Sequence, residues 1–293
     1  MNKIFSFDNF LETSHQMFQS NQEHPISLEE VANTMGMSMT TLRKYLYQEA
    51  KSYPEKIIPD YFHQLHFKIH NFDTLTPESG YWLGYLFADG CYAVSSKGYS
   101  TRLMLECQIK DKEILEKFCD FLNIRRSRLT IGHKGQSIAL SLADNNFSTS
   151  VSHWGIQTNK SHKENHVPQE ILDNDTLFYQ FFRGLVDGDG TVHLTKNAPG
   201  VSFVSNSQTF CQEIKEKLQN TLPVPSSVWI SVRKKEIVPK ATQAIYFLKI
   251  GSGGISAGQE RNRNLKFLYH NMYEGQKIIL TRKYEAFCSL LVR

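Results

Sequence analysis

Trp82-Leu83-Gly84-Tyr85-Leu86-Phe87-Ala88-Asp89-Gly90 and Phe182-Arg183-Gly184-Leu185-Val186-Asp187-Gly188-Asp189-Gly190 follow one pattern, an apolar helix with small residues four apart, closed by Asp-Gly. Positions i and i+4 stack on one helical face, so Gly84 and Ala88 share a face, as do Gly184 and Gly188. Both faces are nearly bare backbone. Two such faces pack more closely than the roughly 8–10 Å usual between helix axes, and the packing brings Asp89 and Asp189 side by side.

The paired acids are the anomaly. A carboxylate in the last turn of a helix sits at the negative end of the macrodipole, where a cation is preferred. Two like charges at two such ends raise each other's pKa or push apart unless positive charge lies between them. A divalent metal meets that need. Hard oxygen ligands from Asp89 and Asp189, with waters and phosphate oxygens completing the shell, suit Mg²⁺, which protein alone rarely cages. The ligand set anticipates a phosphate substrate.

On these residues the chain resembles a single-chain LAGLIDADG homing endonuclease, with motif copies in Trp82 to Gly90 and Phe182 to Gly190. The resemblance implies a site-specific endonuclease that hydrolyses one phosphodiester in each strand of double-stranded DNA with Mg²⁺ or Mn²⁺. It implies that Asp89 and Asp189 are metal ligands and that the carbonyls of Ala88 and Gly188 help hold the ions. It also implies that Lys160, in Trp154 to Ser161, and Lys283, in Leu280 to Tyr284, are the basic residues that end each half and act as transition-state and water-network lysines. The first motif departs from the pattern. Phe87 stands where the second motif has Asp187, an acidic position the family uses structurally, while the ligand position is intact.

With 293 residues the chain has room for about two domains with full cores and a small third. A net charge of +4 is only mildly basic, so nucleic-acid binding requires that the charge be concentrated on one surface. Clusters exist at Arg125, Arg126, Arg128, His133 and Lys134, at Arg233 to Lys235, and at Arg261, Arg263 and Lys266, each of which alone reads as a solvated face. Five cysteines without CxxC spacing suit a reducing interior better than a disulfide scaffold. His162 and His166 lie in a polar stretch without a third ligand and do not read as a metal site. No charged-then-apolar leader and no run of roughly 18 apolar residues is present, so the expectation is a soluble intracellular protein with no membrane partner. The glycine-rich run Gly251 to Gly258 lacks the GK[ST] ending of a P-loop and reads as a connection after a strand, implying no nucleotide cofactor.

Three segments are expected: residues 1–70, 71–167 and 168–293. In the first, Leu28, Val31, Ala32 and Met35 form one helical stripe, Gly36 permits a turn, and Leu42, Tyr45 and Leu46 form a second stripe. This resembles a helix-turn-helix whose second helix, from about Met39 to Tyr47, enters the major groove with Thr40, Thr41, Arg43 and Lys44 exposed. Thr76 caps the first motif helix with Pro77 in its first turn, and Asp173, Asn174 or Asp175 caps the second. After each motif come a strand, a turn, a second strand, a helix and a further hairpin. The fold class is therefore α+β, two pseudo-symmetric αββαββα halves preceded by a small all-α segment.

Each half supplies an antiparallel sheet with one face free to lie along a DNA groove. Tyr92, Lys97, Arg102, Glu106 and Gln108 in the first half, and His193, Lys196, Arg233 and Lys235 in the second, are polar enough to read bases or hold phosphates. Which alternate residues face the groove stays open in the sequence. Unequal halves in one chain imply an asymmetric site and a monomer. Two other readings share the fold, a non-cleaving DNA-binding regulator and an intron maturase. An intein is not expected, because no terminal His-Asn stands at Leu290 to Arg293.

Overall fold

The structure is a computed structural model that describes residues 6–20, 28–42, 44–45, 69–94, 101–124, 126–143, 145–158, 163–195, 198–233, 244–253 and 262–291. Two compact units divide the chain, one holding Met1–Lys68 with Leu122–Ile124 and the other Ile69–Phe121 with Arg125–Arg293. In the first, helices α1 (Phe7–Ser20) and α2 (Leu28–Thr34) are followed by a turn in which Gly36 takes φ 67°. That left-handed conformation favours glycine. Residues 39–42 and 44–45 are helical again, and the Ser38 hydroxyl accepts the Thr41 amide at 3.1 Å as a cap. Val31, Ala32, Met35 and Leu42 are buried, as the stripe reading required.

The second unit begins with a 3₁₀ turn at Ile69–Phe72 and the first motif helix, α3 (Pro77–Asp89). Its start is specified locally. The Thr76 hydroxyl accepts the Ser79 amide at 3.2 Å, the Ser79 hydroxyl accepts the Thr76 amide at 2.7 Å, and Pro77 has no N–H to lose. Strands β1 (Gly90–Val94) and β2 (Thr101–Gln108), helix α4 (Lys112–Leu122), strands β3 (Thr130–Gly132) and β4 (Ser137–Leu142) and helix α5 (Asn145–His153) complete the first half.

After the short helix α6 (Gln169–Asp173), the second motif helix α7 (Asp175–Asp189) repeats the series, and Asn174 supplies the cap by accepting the Leu177 amide at 3.1 Å. It continues with β5 (Thr191–His193), β6 (Gly200–Ser205), α8 (Gln208–Thr221), β7 (Val228–Arg233), β8 (Ile245–Gly251) and α9 (Arg263–Met272), and ends with α10 (Thr281–Leu291). The two sheets have the same order, β1-β2-β4-β3 and β5-β6-β8-β7, with every pairing antiparallel. The architecture is α+β with two αββαββα halves. No described helix is long and apolar enough to cross a membrane.

Each sheet buries one face. Leu103, Leu105, Leu140 and Leu142 pair across β2 and β4 and are all buried, as are Val201, Phe203, Leu248 and Ile250 across β6 and β8. Phe210, Ile214 and Leu218 lie buried on α8, and α8 packs on β6, β7 and β8. Between the halves the motif helices are buried through most of their length, Ser79–Ala88 in α3 and Leu177–Asp187 in α7. A helix apolar on every side belongs in a core.

Each half also sends a tail onto the helix of the other. Past α5, Glu164 accepts the Thr209 amide at 2.7 Å and the Ser207 hydroxyl at 2.8 Å, and the Val167 amide donates to Glu213 at 2.7 Å. Past α9, the Thr281 amide donates to Glu113 at 3.0 Å and Lys117 donates to the Ile279 carbonyl at 2.8 Å. Glu113 on α4 and Glu213 on α8 do the same work on opposite sides of the pseudo-twofold.

Candidate metal and DNA site

The bare faces read in the sequence do meet. A Cβ on Gly84 would fall on the Phe181 carbonyl, and a Cβ on Gly184 would fall on the Tyr81 carbonyl. Backbone therefore touches backbone at the middle of the interface. One turn later a Cβ on Gly188 would stand 2.5 Å from the Ala88 Cβ and 3.3 Å from Asp89 Oδ2. The carboxylate of the first motif thus lies against the last turn of the second, one residue from Asp189. Asp89 is half-buried and Asp189 exposed. The Tyr85 hydroxyl, one turn before Asp89 in α3, hydrogen-bonds to it, and burial followed by the Asp89 charge holds that hydroxyl well above the usual tyrosine range.

Lys283, the first turn of α10, reaches under the end of α7. Its ammonium donates to the Val186 carbonyl at 2.8 Å, which also accepts the Gly190 amide at 3.0 Å, and to the Gly190 carbonyl just past the helix end. Burial lowers its pKa, while the charges of Asp187, Asp89 and Asp189 oppose the shift. The sequence-predicted Asp89, Asp189 and Lys283 are therefore brought together at one place. Lys160 lies outside the described residues.

Sequence reasoning missed the buried polar network beside them. Asp187 is 1% exposed and accepts the Tyr81 hydroxyl at 3.0 Å and the Tyr273 hydroxyl at 2.9 Å. Burial raises its pKa, and Arg183 and the two hydroxyls pull it back. Arg183, one turn earlier in α7, lies with its guanidinium 4.1 Å from the Tyr81 ring centroid and donates to the Ile278 carbonyl. The available signal was Arg183 itself, a charge inside an apolar helix with an acid four residues on. At the pseudo-symmetric place the first motif has Phe87, which stacks on Phe210 at 5.3 Å and meets Phe181 edge-on at 5.4 Å. Tyr81–Asp187 and Phe181–Phe87 are thus the same cross-helix pair, polar on one side and aromatic on the other. A second missed pair, Arg282–Asp111, joins α10 to the loop before α4 with bonds of 3.1 and 2.8 Å.

The donor set fits a hard divalent cation. The Asp89 carboxylate meets the last turn of α7, the turn that carries Asp189, where Gly188 omits the Cβ that would crowd Asp89. Among the described residues no group of three or more His, Cys, Asp and Glu side chains is placed to hold an ion, so water and phosphate oxygens would complete the shell.

Register settles which sheet residues share a face. Arg102, Met104, Glu106 and Gln108 are exposed on β2, opposite Ala93, Cys91, Ala139 and Ser137. Tyr92 pairs with Leu103 and so lies on the covered side, away from Arg102 and Gln108 with which the sequence grouped it. In the second half, Thr191, His193, Ser202, Lys249, Trp229 and Arg233 share the face opposite the core. His193 bonds to the Ser202 hydroxyl at 2.8 Å, and Arg233 lies 4.8 Å from the Phe247 ring centroid. Thr40, Thr41 and Lys44 are exposed in the first unit, with the Thr41 hydroxyl 2.8 Å from that of Ser38. Arg43, Lys97, Lys196 and Lys235 lie outside the described residues. His166, whose pairing with His162 was set aside as a metal site, bonds to Glu213 at 2.7 Å.

Residues 179–250 match the family model of the LAGLIDADG-like domain, a stretch that contains the second motif and ends within β8. No curated protein matches the chain. Similar solved structures include a variant of I-DmoI in complex with its target DNA in the presence of Mg, at 13% identity and TM-score 0.43, over 71% of this chain and 99% of that one. They also include the meganuclease I-SmaMI bound to uncleaveable DNA, at 12% identity and TM-score 0.45, over 75% of this chain and 90% of that one. Full-length DUF199/WhiA from Thermatoga maritima is similar at 14% identity and TM-score 0.44, over 75% of this chain and 64% of that one.

Proposed function

We propose that this chain is a metal-dependent, site-specific endonuclease of the two-motif LAGLIDADG kind, cutting both strands of a long asymmetric DNA site. The observation that carries the reading is the approach of the Asp89 carboxylate to the last turn of α7, one residue from Asp189. A domain that only binds DNA gains nothing from two acids held together next to phosphates.

Asp89 and Asp189, with the carbonyls of Ala88 and Gly188, would hold Mg²⁺ or Mn²⁺. The chemistry supplied on binding is activation of water and polarisation of a phosphodiester. The chain's own residues set that place up. Gly84, Ala88, Gly184 and Gly188 allow the close approach, and the Tyr85 hydroxyl fixes the Asp89 carboxylate. Lys283 ties down the helix end from which Asp189 projects. The two sheet faces carrying Arg102 and Gln108, and His193 and Arg233, would track the grooves on either side, and Lys97, Lys196 and Lys235, which lie outside the described residues, are proposed from the sequence as further DNA contacts. The helix-turn-helix, through Thr40, Thr41, Arg43 and Lys44, would extend the footprint at one flank. Duplication of the motif within one chain makes a monomer sufficient.

The test is incubation with Mg²⁺ and a randomised double-stranded DNA library, beside Asp89→Asn and Asp189→Asn, with sequencing of cleaved ends and of bound duplexes. Enrichment of one long site, with double-strand cutting lost in both variants and binding retained, is the expected result. Full cleavage by both variants would refute the metal assignment. Binding without cutting by the unchanged protein would replace this reading with that of a regulator.

A further inference from the structure

The carboxylate pair needs a cation that can face a DNA phosphate, and two adjacent basic residues on α10 are candidates. Their surroundings differ. Lys283 is 5% exposed, and its ammonium is committed to the Val186 and Gly190 carbonyls. To meet a phosphate it would have to give up both of these buried bonds, which is costly. Arg282 has 47% of its side chain exposed. Its Nε and Nη2 bind Asp111 Oδ1 and Oδ2 at 3.1 and 2.8 Å, and the Asp111 side chain is 10% exposed.

We propose that Arg282, and not Lys283, is the cation that contacts a DNA phosphate beside Asp89, and that Lys283 is a positioning residue for the end of α7. This rests on the chain's being a DNA-binding protein with its phosphate-facing site at the two motif ends. Three features support it. The Asp111 bonds occupy two of five guanidinium N–H donors and hold the planar fork in one orientation, so the remaining donors are presented without further ordering. Arg282 is the chain neighbour of Lys283, whose ammonium sits on the Val186 and Gly190 carbonyls, so Arg282 is held at the end of α7 that carries Asp189. Asp111 belongs to the first half and Arg282 to α10 in the second, so the pair joins the two halves. A bidentate guanidinium matches phosphate oxygens in a way a point-charge ammonium does not.

The experiment measures the affinity of the full chain for a fluorescein-labelled duplex of random sequence, without divalent metal, as salt is raised. For the unchanged protein log K falls linearly with log salt, at a slope of about 0.9 per phosphate neutralised. Arg282→Gln is expected to reduce that slope by about one phosphate's worth, and Arg282→Lys to restore most of it. Lys283→Met is expected to keep the slope while lowering the melting temperature; should it not fold, the Arg282 variants decide alone. An unchanged slope in Arg282→Gln, with the unchanged protein binding well, overturns the proposal. So does a slope that falls in Lys283→Met and not in Arg282→Gln. If the unchanged protein binds no DNA, the endonuclease reading and this inference fall together; if it binds but never cuts, only the catalytic part of that reading is lost and the slopes still decide.

Discussion

At position 188 one methyl group decides how closely the motif helices approach. Gly188→Ala puts its Cβ 2.5 Å from that of Ala88 and presses on Asp89, and overpacking of this kind costs about 1–3 kcal/mol. The exchanged pair Ala88→Gly with Gly188→Ala should regain most of that loss in urea denaturation, because the pseudo-twofold makes the two sites alternates. Gly84→Ala has no such remedy, since its Cβ meets the Phe181 carbonyl, and it should lose more than Gly188→Ala. At the other departure from symmetry, Phe87→Asp buries a charge among Phe181 and Phe210 and should cost roughly 3–5 kcal/mol. Adding Phe181→Tyr, which recreates the Tyr81–Asp187 pairing, should reduce that loss; a Phe87→Asp protein as stable as the original would show that residue 87 is not packed as described. The glycines and terminal acids were legible because their spacing is local. The partners of Asp187 were not, because Tyr81 and Tyr273 stand 106 and 86 residues away, and only the fold brings them near.

Among the elements, the motif helices, their caps and the strands that follow them were legible, whereas α1 was not anticipated. Thr76 with Pro77 starts α3, and Lys112–Leu122 forms a helix as its apolar spacing indicates. Register was not, since it depends on a partner strand: Tyr92 and Arg102 differ in face only because β1 meets β2 with Tyr92 opposite Leu103. The tail contacts were equally hidden, being carboxylates that accept amides from distant segments. They carry an acid dependence. Burial pushes Glu113 and Glu164 up, but the hydrogen bonds from Thr281 to Glu113, and from Thr209 and Ser207 to Glu164, outweigh it, and both groups lie below the usual glutamate value. A depressed folded pKa contributes stability above the unfolded value, near ~4.3, and that stability is lost as pH falls through the depressed values. The combined Glu113→Gln, Glu164→Gln protein should therefore melt lower than the original at neutral pH, with the gap narrowing under about pH 4. A gap unchanged on acidification would mean that these carboxylates act through packing alone.

For the molecule as a whole, the two-fold repeat of the motif unit was the most legible feature, because a repeat announces itself in one dimension. Inequality of the two halves was legible only at Phe87. On the proposed reading the helix-turn-helix adds binding without adding chemistry. Removal of residues 1–68 should thus weaken duplex binding by about tenfold or more and leave cutting that still depends on Asp89 and Asp189, measured by gel shift and by end-sequencing. Loss of all cutting at saturating protein would show instead that the first unit helps build the catalytic site. The crossed tails bear on how the chain is made. Asp111 binds a residue that follows it by 171 positions, and at about 5–20 residues per second a ribosome takes roughly 10–30 s to deliver it. Throughout that interval the first half has emerged without Thr281 for Glu113 and without Arg282 for Asp111, although α7, which covers the bare face of α3, is made about midway through it. A nascent chain of this protein therefore pairs its motif helices before Glu113 and Asp111 have their partners, and that interval is when a chaperone would be needed.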